Sequence, residues 1–175
     1  MSSVPTILAS TIRTLDAISI WSGKATAWLI LPMVGSLVYE VISRYVFDAP
    51  TIWAYDMTYM LYGVFFMVGA AFTLQRKGHI RTDSFYTNWS PRRQGAVDAF
   101  CYLVFFFPGL GVFAYVNWDF FVVSFGQSER VVSSPWMPVI YPVKGFMFLA
   151  VVLLLLQGAS EFLKSCWAAL HGEWP

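Results

Sequence analysis

Four apolar runs, each long enough to cross a bilayer, constrain this chain more than any other feature. They lie at about 25–47 (around AWLILPMVGSLV), 53–75 (around MTYMLYGVFFMVGAAFTL), 96–125 (around AFCYLVFFFPGLGVFAYV) and 143–163 (around GFMFLAVVLLLLQG). A helix crossing the hydrocarbon core needs about 20 predominantly apolar residues. Only 12% of the residues are charged, against about 25% in an ordinary soluble domain. Short linkers join the runs, so residues 1–175 are expected to form a single membrane domain. The expected fold is an all-α integral membrane protein with four transmembrane helices. Before the first run, Leu8, Ile12, Leu15 and Ile18 recur at helical spacing, which predicts a short amphipathic helix over 5–20 in the membrane interface.

The basic residues set an expected orientation. Arg13, Lys24, Arg76, Lys77, Arg81, Arg92, Arg93 and Lys164 fall on one side, and Arg44, Arg130 and Lys144 on the other. Cytoplasmic loops carry the excess of Lys and Arg, so both termini are expected inside. The 44–56 turn and the 126–142 loop are then expected outside. The start lacks a basic leader, an unbroken apolar core and a processing site, so no cleavable signal is expected. The third run, about 30 residues at roughly 1.5 Å each, is too long for an upright span, and Pro108–Gly109 offers a kink within it. Pro32 offers another in the first run.

The stretch EVISRYVFDAPTIWAYD, residues 40–56, places charges between two apolar runs. Around a hairpin centred on Pro50, Arg44 and Asp56 fall at similar depth. Glu40 lies one helical turn from Arg44, at the spacing that lets the two meet. Glu40, Arg44 and Asp56 are therefore expected to form one structural cluster joining the first two spans, the guanidinium reducing the cost of the buried acids. The alternative makes Glu40 or Asp56 an ion or proton site. Gln157 and Asn117 read as interhelical hydrogen-bonders.

Other chemistry has little support. The net charge of +1, without a long basic run, gives no nucleic-acid surface. The two cysteines, Cys101 in the third run and Cys166 in the tail, give no disulfide framework. His79 and His171 lie outside the runs, so no membrane histidine pair for haem is offered. No catalytic residue, metal ligand, substrate-binding residue or cofactor is expected, and the chain is not read as an enzyme.

RYVF (44–47), Pro50, WAYD (53–56) and GHIRTD (78–83), in that order and spacing, resemble the small permease subunit, of DctQ type, of tripartite ATP-independent periplasmic (TRAP) transporters. Arg44, Pro50, Trp53, Asp56, His79 and Asp83 carry the likeness, with Asp56 where the family usually has glutamate. The resemblance implies a scaffold subunit in a bacterial or archaeal cytoplasmic membrane. Its partners would be a separate large multi-span permease subunit, a periplasmic solute-binding protein and membrane lipids, in sodium-coupled uptake of organic acids. Sodium is expected in the large subunit. Asp48, Glu129 and Arg130 are the candidate docking surface for the binding protein. Phe65, Phe66, Phe105 and Phe106 are the candidate contacts to the large subunit. The competing readings are a stand-alone proton-coupled four-helix exporter using Glu40 and a membrane anchor of a respiratory enzyme.

Overall fold

A computed structural model describes residues 5–78, 86 and 88–175. Five helices account for most of them: α1 (Thr6–Ala27), α2 (Ile30–Val46), α3 (Ala54–Gln75), α4 (Pro91–Gly126) and α5 (Tyr141–His171). The fold is all-α, and four helical stretches are long and apolar enough to cross a membrane: α1 with α2, α3, α4 and α5.

The expected N-terminal helix does not stop near residue 20. It runs to Ala27 and passes into α2 through one tight turn. Pro32 explains the turn. It has no N–H to offer the Trp28 carbonyl, which accepts instead from Leu31 N–H at 3.2 Å, while Leu29 N–H reaches Thr26 at 2.9 Å. Bonds to the third residue back tighten the helix locally.

The side of α1 turned into the protein carries mostly small and polar residues. Ile12, Ser19, Ser22 and Thr26 are buried, whereas Ile7, Ile18, Trp21 and Trp28 are exposed. Small and polar side chains face the neighbouring helices and bulky apolar ones face outward. This polarity suits a helix in lipid, where close approach between helices relies on small residues. At Gly23 the approach is tightest, since a Cβ there would lie 2.5 Å from Phe72 Cγ.

The helices do not close into a four-helix bundle. α3 and α5 pack on each other at the centre, α2 packs chiefly on α3, α4 chiefly on α5, and α1 crosses over α3 and α5. The order across the molecule is therefore α2, α3, α5, α4. The core is Val64, Val68 and Ala71 of α3 against Ala150 and Leu153 of α5.

α4 has 36 residues and is about 54 Å long at roughly 1.5 Å per residue, well beyond a hydrocarbon core of about 30 Å. Its irregularity lies one turn before Pro108. Residues Tyr102–Phe106 form a π-helical turn in which Phe107 N–H bonds to the Tyr102 carbonyl, five residues back. A widened turn leaves room for a proline ring that would otherwise press on the carbonyl four residues earlier. α5 starts with Tyr141–Pro142 and ends at Gly172, whose φ of 77° suits a glycine helix stop.

Candidate functional site

One rim of the molecule gathers the end of α2, the start of α3, the 127–140 loop and the start of α5. Glu40 is the hub of its first tie. Arg44 Nε donates to Glu40 Oε1 at 2.8 Å and Arg44 Nη2 closes the ion pair. The second oxygen, Oε2, accepts from Thr51 N–H at 2.9 Å and from the Thr51 hydroxyl. Glu40 therefore pins α2 to the turn that follows it. Within the turn, Ala49 N–H bonds to the Ser43 carbonyl at 3.0 Å and Asp48 adopts a positive φ of 52°.

Asp56 does not join this cluster. Its Oδ2 accepts from the hydroxyl of Ser134, a residue 78 positions further along, and Ser134 Oγ in turn accepts from Trp136 N–H at 3.2 Å. The expected three-residue clamp is thus two separate ties. Asp56 lies at the same rim as Glu40 and Arg44, but Thr51 supplies two donors to Glu40 and a loop distant in sequence returns to the rim with a donor for Asp56.

That loop is held from both ends. Val131 N–H bonds to the Pro138 carbonyl, Ile140 N–H to the Glu129 carbonyl, and Arg130 Nη1 to the Met137 carbonyl at 3.1 Å. Lys144, on the first turn of α5, donates to Glu129 Oε2 and lies 3.6 Å from the centre of the Phe120 ring. The hydrogen bond from Lys144 holds the Glu129 carboxyl below the usual glutamate range. Of the candidate docking residues, Asp48 and Arg130 are exposed and Glu129 is half-buried.

The opposite rim holds a network that sequence reasoning missed. Asp16 of α1 accepts from three side chains of α5: Gln157 Nε2 at 3.0 Å, Ser160 Oγ at 2.6 Å and Lys164 Nζ at 2.8 Å. Lys164 also donates to Glu161 at 2.7 Å. Gln157, Ser160 and Glu161 are buried. A signal was present, because Gln157, Ser160, Glu161 and Lys164 share one helical face by their spacing. Gln157 does bond between helices, as expected. Asn117 instead donates within its own helix, to the Phe113 carbonyl at 2.8 Å.

The four phenylalanines assigned to a partner do not behave alike. Phe66 and Phe105 are exposed, 57% and 67%, while Phe65 is half-buried. Phe106 packs inward, where its ring meets Gly158 of α5 so closely that no Cβ would fit there. It also makes edge contacts with Tyr102 and Phe107. Phe106 is an internal contact between α4 and α5, and the π turn helps to aim it there. Phe66 and Phe105 belong to an open apolar surface that continues over α4 and α2, at residues such as Val112, Tyr115, Val116, Val41 and Val46. Among the described residues, no three His, Cys, Asp or Glu side chains converge as a metal site.

The family model of the DctQ component of tripartite ATP-independent periplasmic transporters matches residues 33–166. The chain belongs to this family. No curated protein and no solved structure matches it. As a DctQ component with four helices of spanning length, it is a multi-pass membrane protein belonging to a family of transporter parts. The matched stretch contains α3, α4 and nearly all of α2, ends within α5, and excludes α1. Within it, Arg44 and Asp56 anchor the two ties of the first rim, and Trp53 packs its ring on Tyr39 at 5.6 Å. Pro50 lies in the exposed turn between them, and His79 and Asp83 fall outside the described residues.

Proposed function

We propose that this DctQ component is the stationary scaffold of a sodium-coupled, binding-protein-dependent transporter of organic acids. It packs against a separate large permease subunit that carries the solute and the sodium sites. The observation that carries this reading is the open row of helices. α2 and α4 each pack on one neighbour, and their outward faces present large apolar side chains. No residue in the most apolar stretch of α4 is fully buried. A face of this size suits a large apolar partner within the membrane, with lipid covering the remainder. Glu40, Asp56, Lys144 and Lys164 are engaged in ties between the chain's own elements, which suits a rigid support. The excess of Lys and Arg at the rim of α1, the end of α3 and the start of α4 supports its placement in the cytoplasm. The rim of Asp48, Glu129 and Arg130 would then face the periplasm and the docked binding protein.

Co-expression with the large subunit tests the contact. The two should purify together, and charged residues on the exposed face of α4, such as Val112→Lys with Val116→Lys, should abolish co-purification without unfolding the chain. The same substitutions at Val131 and Val132, in the rim loop, should leave it intact. Loss of co-purification from the loop pair alone would place the contact elsewhere.

A further inference from the structure

A groove of about 630 Å³ opens at the rim where α3 ends, between α1, the end of α3 and the last turns and tail of α5. Its volume lies within the range of small-ligand pockets, about 300–1,000 Å³. Its walls combine three cations, Arg13, Lys77 and Lys164, and one acid, Asp16, with Ile12, Ile20, Trp174 and Pro175. Lys164 is neutralised by Asp16 and Glu161. Arg13 has no hydrogen bond or ion pair among the described residues, and Lys77 rests only against the Trp174 ring, 5.0 Å from its centre. Gln75, which also lines the groove, keeps its side-chain oxygen buried without a hydrogen-bond partner.

We propose that this groove binds an anionic phospholipid, with its phosphodiester between Arg13 and Lys77. Two features select this occupant. Two cations that make no ion pair among the described residues complement one phosphodiester, and basic pockets between membrane helices hold anionic headgroups. Ile12 and Ile20 of α1 also line the groove and offer apolar surface to an acyl chain. The depth agrees, since the groove sits at the last turn of α3 and beside a tryptophan, the side chain favoured at the headgroup level. The lipid would brace α1 against α3 and α5, and α1 lies outside the residues matched to the family. The proposal does not depend on the scaffold reading, because it needs only this chain in a membrane.

The test is native mass spectrometry of the full chain released from nanodiscs with equal phosphatidylglycerol and phosphatidylcholine of the same chain length. Phosphatidylglycerol should be retained over phosphatidylcholine by roughly thirtyfold, the scale set by two basic side chains near an anionic lipid at about 1 kcal/mol each. Arg13→Gln with Lys77→Gln should bring the ratio close to one. Lys24→Gln, which removes a cation of α1 outside the groove, should leave it unchanged. Circular dichroism and melting of each variant report folding. Arg13→Gln alone, an exposed position, serves if the double variant misfolds, with an intermediate ratio expected. Equal retention of the two lipids by the unaltered chain would overturn the proposal, as would a preference that survives the double variant. Displacement of the lipid by excess inorganic phosphate would also overturn it, because the groove would then be a site for soluble anions.

Discussion

Glu40 illustrates how a charge is kept at the edge of a membrane. Its two oxygens accept from a guanidinium, a backbone N–H and a hydroxyl, so the carboxylate keeps partners in place of water. Because Asp56 has its own partner, Arg44 and Asp56 are energetically independent. A double-mutant cycle of Arg44→Ala and Asp56→Ala, read from chemical or thermal unfolding, should give a coupling within about 0.5 kcal/mol, as for sites without shared partners. Asp56→Ala with Ser134→Ala should couple more strongly, by about 1 kcal/mol, since the two share a hydrogen bond. A large Arg44–Asp56 coupling would restore the single clamp. The Glu129–Lys144 tie gives a pH dependence with a definite sign. The folded state holds the Glu129 carboxyl below its unfolded range, so this stabilisation is complete above the ordinary glutamate range and is lost as pH falls through the lower folded value. Amide exchange in the 129–140 loop, corrected for the intrinsic pH dependence of exchange, should show unchanged protection from neutral pH down to that range and faster opening below it. Lys144→Met should remove the dependence.

Among the elements, the contact between α4 and α5 has the sharpest steric demand. A Cβ on Gly95 would meet the Ser165 carbonyl oxygen at 2.5 Å and the Ala169 nitrogen at 2.6 Å, both backbone atoms. At Gly158 the obstacle is the Phe106 ring, which can rotate. Gly95→Ala should therefore destabilise the protein by about 1–3 kcal/mol, the usual range for overpacking, and by more than Gly158→Ala does. Melting temperatures of the two variants decide the order. These contacts show which parts of the fold could be read beforehand. The helices were legible because apolar length is a local property, and so was the Glu40–Arg44 pair, which lies within one helix. The Ser134–Asp56 tie and the Asp16 network were not, because each joins residues far apart in sequence (78 positions in the first case and about 140 in the second). The expected interfacial helix gave Asp16 no partner, whereas α1 packs on α3 and α5. The spacing of Leu8, Ile12, Leu15 and Ile18 marked the helix itself, but not that its Ser19, Ser22 and Thr26 would be the residues buried against its neighbours. A kink was expected at Pro108–Gly109, whereas the irregularity is the π turn at Tyr102–Phe106, and the contact of Phe106 with Gly158 has no local sequence signature.

At the scale of the whole molecule, an open row differs from a bundle in what it can do. A bundle encloses an interior where a solute could bind. Here α3 and α5 meet directly through Val64, Val68, Ala71, Ala150 and Leu153, and the large surfaces face outward. Such a slab is suited to hold something beside it. The most direct measurement is solute uptake into liposomes under an imposed sodium gradient, with the chain, its large subunit and the periplasmic binding protein supplied together and then omitted one at a time. The scaffold account predicts uptake only when all three are present, and none by this chain alone. Gradient-driven uptake by this chain alone, or undiminished uptake by the large subunit and binding protein without it, would contradict that account.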